Sequence, residues 1–149
     1  MATEIGTTGV FARAFVEDAD NGVVFNWQVP SDWVSGFKVR VYYTTDTNAA
    51  NGETAVFGVS GCSSGDLDAL CVTEGAQTDI TDELADTYDT GELIISPWSA
   101  AVAITDLAAG EIAHILLIRD ISADDMVGHA LVIGIEIKYV SKIAPFSDY

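Results

Sequence analysis

Positive charge is the scarcest feature of this chain. Six of its 149 residues are lysine or arginine, against 23 aspartates and glutamates, and the formal net charge is -17. A surface of that sign repels phosphate backbones and anionic headgroups, so neither nucleic acid nor a membrane surface is an expected partner. Histidine is almost as scarce. His114 and His129 lie far in sequence from the two cysteines, Cys62 and Cys71, which argues against a zinc centre. No apolar run approaches the ~20 residues of a membrane span. Residues 1–8 have neither a basic start nor an apolar stretch, so no signal peptide is expected and synthesis is placed in the cytoplasm. Heptads, long amphipathic helices and internal repeats are missing too. So are the Gly-x-Ser-x-Gly elbow, the Walker phosphate loop and the dinucleotide fingerprint.

What remains is apolar and alternating. Hydrophobic residues make up 49% and mean hydropathy is +0.28, which excludes a disordered chain despite the charge. A chain of 149 residues suits one domain that buries roughly two-thirds of its unfolded surface. Period-two segments recur between turn signals. They run near 9–16, then Val23 to Val29 up to Pro30, Phe37 to Tyr43, 53–59, 71–78, 93–104 interrupted around Pro97-Trp98, 112–118 and 131–139. In the last two, Ile112, His114, Leu116 and Ile118 share one face, and Leu131, Ile133, Ile135, Ile137 and Tyr139 share another. Residues 81–89 read as an acidic loop or short helix. The fold expected is all-β: a single-domain jelly roll, a β-sandwich of about eight antiparallel strands. The domain spans 9–140, with an N-terminal arm over 1–8 and a C-terminal arm over 141–149.

Candidate chemistry is thin. His114 shares a face with Ile112 and Leu116 and reads as a hydrogen-bonded core or interface residue. Glu111 and Glu136 are the carboxylate pair to consider for glycoside hydrolysis, though solvated strand faces explain them equally well. Asp79, Asp82, Glu83, Asp86 and Asp89 crowd one segment, and Asp120, Asp124 and Asp125 another. Calcium favours such loop oxygens, yet neither segment has the EF-hand spacing, and solvated acidic loops are the simpler reading. Asp120 and Asp125 are also placed to pair with Arg119. Cys62 and Cys71 bracket a short loop and form either a disulfide or two free thiols. No enzyme activity, metal or cofactor is expected. Trp27 shares a face with Phe25 and Val29 and belongs in the core. Trp33 and Trp98, in turns beside prolines, are candidate partner contacts, as are Ile143, Phe146 and Tyr149 on the C-terminal arm.

Two stretches carry a family resemblance. Phe25-Asn26-Trp27-Gln28-Val29-Pro30-Ser31-Asp32-Trp33 followed by Val39-Arg40-Val41-Tyr42-Tyr43 resembles the opening of small jelly-roll structural proteins of tailed bacteriophages. Ala108-Ala109-Gly110-Glu111, Ile118-Arg119-Asp120, Asp124-Asp125, Gly128 and Gly134-Ile135-Glu136-Ile137-Lys138-Tyr139 resemble their ending. The likeness is weakest over 58–92. It implies a capsid decoration (cement) protein on the outer surface of a phage head, with the major capsid protein as partner and a homotrimer as assembly. The alternative it implies is a receptor- or glycan-binding head module of a tail fibre. It transfers no catalytic residue.

Overall fold

The computed structural model describes residues 2–5, 10–71 and 73–142, with side chains from Ala12 onward. The described residues form nine strands and no helix: β1 (Ala2–Ile5), β2 (Val10–Phe15), β3 (Asn21–Gln28), β4 (Trp33–Thr45), β5 (Thr54–Ser64), β6 (Thr78–Glu83), β7 (Ile94–Ile95), β8 (Ile112–Arg119) and β9 (Ala130–Ser141). One sheet has the order β1-β2-β9-β4-β7 and the other β3-β8-β5-β6. The logic of that order is a long hairpin. β5 pairs with β6, β4 with β7, β3 with β8 and β2 with β9, all antiparallel. Rolling this nested ribbon brings β9 beside β4 and β8 beside β5, closing two facing sheets. The all-β sandwich expected from the alternating segments is therefore the fold. β1, within the segment expected as an arm, pairs with β2.

The core lies between the sheets. Phe37, Val39, Val41 and Tyr43 of β4 face Phe57 and Val59 of β5 and Ile115 and Leu117 of β8, all at most 2% exposed. Aromatic contacts cross the gap: Trp27 lies 5.4 Å from Phe37 and 5.6 Å from Tyr139, and Tyr43 meets Phe57 edge-on at 5.0 Å. Trp27 thus packs against the core, as its position on β3 predicts.

Several strands differ from expectation in ways that place functional groups. On β8 the core face is Ala113, Ile115, Leu117 and Arg119, while Ile112, His114, Leu116 and Ile118 are on the outer face. His114 is therefore not a core residue; its Nδ1 lies 2.8 Å from Asn26 Oδ1 across the strand pair. On β9 a bulge inserts Ile133 between the pairs Tyr42–Gly134 and Tyr43–Val132. Ile135 and Ile137 pack against the core, but Ile133 is 43% exposed, and Val132 takes the inward position. A second irregularity on β4 uses Gly36, whose φ of 71° lies in the left-handed region that glycine enters without strain. The expected strand over 71–78 begins only at Thr78 and continues to Glu83, so the acidic segment is partly β-strand.

Candidate functional site

β7 stops after two residues because side chains replace its ladder. Ser96 Oγ accepts from Val41 N at 2.8 Å while Ser96 N donates to Val41 O at 2.9 Å. Ser99 Oγ accepts from Val39 N at 2.9 Å and Ser99 N donates to Val39 O at 2.8 Å. Pro97, which has no N–H to contribute to a ladder, fits between the two serines. The edge of β4 is satisfied, and the residue between Pro97 and Ser99 is Trp98.

Trp98 sits against charged side chains on the outer face of the five-stranded sheet. The Arg40 guanidinium is 4.8 Å from the Trp98 ring centre and 5.4 Å from that of Tyr42, and Lys138 Nζ is 5.7 Å from Trp98. Arg40 and Glu136 are cross-strand partners, as are Lys38 and Lys138. Arg40 Nε donates to Glu136 Oε2 at 2.6 Å, and the Tyr42 hydroxyl donates to the same oxygen at 2.5 Å. These bonds set the local titration. Hydrogen bonds from Tyr42, then Arg40, hold the Glu136 carboxyl below the usual carboxylate range. The bond to Glu136 raises both the Arg40 guanidinium and the Tyr42 phenol. Each group fixes another's geometry, so the cluster is ordered before any partner arrives.

The location is electrostatically singular. Residues 41–118 contain no lysine or arginine, yet Lys38, Arg40 and Lys138, half of the six, gather on this face with Glu136 alone among them. Trp98 was legible as a candidate contact. Arg40, Tyr42 and Lys138 were missed, although their alternation with the core residues Val39 and Val41 on β4, and with Ile137 on β9, already put them on an outer face.

Trp33 stands apart from Trp98. Its Nε1 donates to Gly36 O at 3.2 Å, and with Phe37, Ala103, Ile104 and Leu107 it lines an open apolar groove of about 330 Å³. Ile143, Phe146 and Tyr149 lie outside the described residues. Glu111 and Glu136 do not come together: Glu111 bonds to Ser63 on the four-stranded sheet, while Glu136 serves Arg40 and Tyr42. Several of the clustered acids are engaged by protein groups. Asp82 accepts from the Tyr43 hydroxyl at 2.8 Å, Asp120 from the Ser122 hydroxyl at 2.6 Å, and Asp125 from Thr54 N at 2.6 Å. The partner of Arg119 is Asp124, not Asp120 or Asp125. Among the described residues, no group of three or more His, Cys, Asp or Glu side chains is arranged to hold a metal ion.

Cys62 and Cys71 form a disulfide with Cα atoms 5.8 Å apart, within the usual span. It pins the excursion between β5 and β6 against the outer side of β5. Ser60 Oγ, two residues earlier on that side, donates to Glu74 at 3.0 Å, and a Cβ at Gly58 would fall 2.4 Å from Gln77. Positions 62, 60 and 58 thus meet 71, 74 and 77 in turn, which explains why β5 is buried on both faces. Compared with known proteins, the chain matches no family model, no curated protein and no solved structure.

Proposed function

We propose that this protein is a virion structural protein, a capsid decoration protein that sits as a homotrimer on the outer surface of a phage head and bridges neighbouring major capsid subunits. The resemblance of its opening and closing stretches supports the family, and the rolled-hairpin sandwich is compatible with it. The observation that carries the contact is the Trp98–Arg40–Tyr42–Glu136 cluster flanked by Lys38 and Lys138. Tryptophan, tyrosine and arginine are the residue types that dominate protein–protein binding energy, and here they are pre-ordered on the outer face of a sheet. The remaining acidic surface faces solvent and keeps stray polyanions away. The apolar residues Ile143, Phe146 and Tyr149 of the C-terminal arm are a second contact in this reading.

The test is addition of purified protein to heads that lack it. Stoichiometric addition and a raised melting temperature of the heads are expected. Trp98→Ala, or Arg40→Glu, weakens addition by about thirtyfold, the effect of losing an interface hot spot. Heads that take up no protein overturn the proposal. A glycan-binding fibre head is the second reading, since Trp98 and Tyr42 are the kind of aromatics sugars stack on. Arg40 already lies over the Trp98 ring, which weighs against it. Glycan-array binding abolished by Trp98→Ala would favour this second reading.

A further inference from the structure

Charge divides unevenly between the two sheets. The strands of the five-stranded sheet carry four of the chain's six basic residues, Arg13, Lys38, Arg40 and Lys138, and two of its 23 acids, Glu4 and Glu136. Glu136 is held by Arg40 and Tyr42, and Glu4 is on β1, two strands beyond β9. Lys38 and Lys138 are direct cross-strand partners, a position in which like charges repel. Both are exposed, and the ion pairs among the described residues are Arg40–Glu136 and Arg119–Asp124, which include neither lysine. Outside the described residues the chain has one further acid, Asp148. Trp98 draws Arg40 and Lys138 together but, being uncharged, leaves their charge standing.

Apolar surface adjoins these cations. Tyr42 pairs with Ile95 of β7 on one side and with Gly134 of β9 on the other. Ile95 is 46% exposed and Ile133, next to Gly134, is 43% exposed. A Cβ at Gly134 would meet nothing within 4 Å among the described residues, so the glycine leaves a notch in the row. We infer that this face receives a short acidic segment of a partner protein. Its carboxylates meet Lys38 and Lys138, and one of its apolar side chains enters the notch over Gly134.

The footprint selects that class of partner. Neighbouring strands lie about 5 Å apart and alternate residues about 7 Å apart along a strand, so the three cations match two or three carboxylates. A nucleic acid or a sulfated polysaccharide extends past that span onto a chain of net charge -17 and is repelled there. A short peptide segment places its charge on the cations alone. The inference rests on the Trp98 contact face of the proposed function but not on the capsid, so peptide recognition and head binding fail separately.

A display library of random peptides tests it. The library is depleted on the double variant Lys38→Gln, Lys138→Gln and then selected on the wild type, so the peptides kept are those that need this face. They are expected to be rich in aspartate and glutamate around one large apolar residue. In fluorescence anisotropy the leading peptide binds the double variant at least about tenfold more weakly. Gly134→Val has the same effect while melting no lower than wild type, because its Cβ meets open space and valine suits a strand. If Gly134→Val does melt lower, Ile95→Asn, at an exposed position, takes its place. Asp148→Asn leaves binding unchanged. A selection that leaves no peptide, or leaves neutral or basic ones, overturns the inference. So does a folded Gly134→Val protein that binds like wild type, or an Asp148→Asn protein that binds more tightly, which makes the chain's own arm the occupant. A heparin fragment or an oligonucleotide that binds as tightly as the peptide overturns it too. Heads that take up the double variant as fully as the wild type overturn it and leave the capsid reading in place. Acidic peptides that bind a protein no head accepts support it and overturn the capsid reading.

Discussion

Arg119 and Asp124 form a two-pronged ion pair inside the protein, with Nε to Oδ2 at 2.8 Å and Nη2 to Oδ1 at 2.7 Å, and side chains 1% and 2% exposed. The guanidinium also donates to the carbonyls of Met126 and Gly128, and the carboxylate accepts from Val56 N and Met126 N. One buried arginine thus ties β5, β8 and the loop leading into β9.

Asp124→Ala leaves that arginine charged and unpaired and is expected to cost about 3–5 kcal/mol, read as a lowered urea midpoint. Replacing both partners with hydrophobic residues often recovers stability for an isolated buried pair. Here it does not, because the carbonyls of Met126 and Gly128 and the amide of Val56 lose their partners as well. A double variant as stable as wild type contradicts this account.

Asp82 responds to pH in the sense opposite to Glu136. Burial raises the Asp82 carboxyl above its ordinary value, against the lowering effect of the Tyr43 bond. Its folded form binds the proton more readily than its unfolded form, so ionisation above the folded pKa costs stability. Asp82→Asn, which still accepts from Tyr43, should raise the melting temperature at pH 7, with the gain shrinking as pH falls through the folded pKa. Glu136 has a lowered folded pKa, so its contribution is present above the unfolded value and lost as pH falls through the folded one. Glu136→Gln should therefore lower the melting temperature at neutral pH and converge with wild type in acid.

Loss of the disulfide through Cys71→Ser should lower stability by about 2–3 kcal/mol, the loop-entropy value for so short a closure. Denaturation of the wild type with and without reductant should show the same difference. The variant's own midpoint should not respond to reductant.

Ser96→Ala removes the acceptor for the buried N–H of Val41, and Ser99→Ala does the same for Val39. Each is expected to cost about 1–3 kcal/mol in thermal or urea denaturation. Amide exchange at Val41 or Val39 should accelerate in the matching variant alone.

Much of the sandwich was legible because strands buried on one face alternate, as β3 and β4 do. Where both faces carry apolar groups, the period still announces a strand but not its orientation. β8 is the example: its outer Ile112, Leu116 and Ile118 are bulkier than inner Ala113, and the inward Arg119 looks polar until Asp124 is seen beside it. On β9 one inserted residue, Ile133, reverses the faces on either side, and no local signal marks it. β6 was obscured because Ile80 is its sole large apolar residue, while Asp82 points to Tyr43 rather than to water. The contact cluster was half visible. Trp98 stood out beside Pro97, but its meeting with Arg40 depends on serines that pair with β4 across more than fifty residues.

The nested pairing also governs how this molecule comes into being. β9, the last strand among the described residues, lies between β2 and β4, so a nascent chain halted before Ala130 has only the outer pieces of its five-stranded sheet. The local pairings of β1 with β2 and of β5 with β6 do not compensate, because β2 meets β9 more than 110 residues later and β3 meets β8 more than eighty residues later. Folding of such a chain is slow, since distant segments must meet before most of either sheet can pair. Fragments are thereby proofread by topology: a truncated copy lacks Glu136 and Lys138 and never assembles the surface offered to a partner.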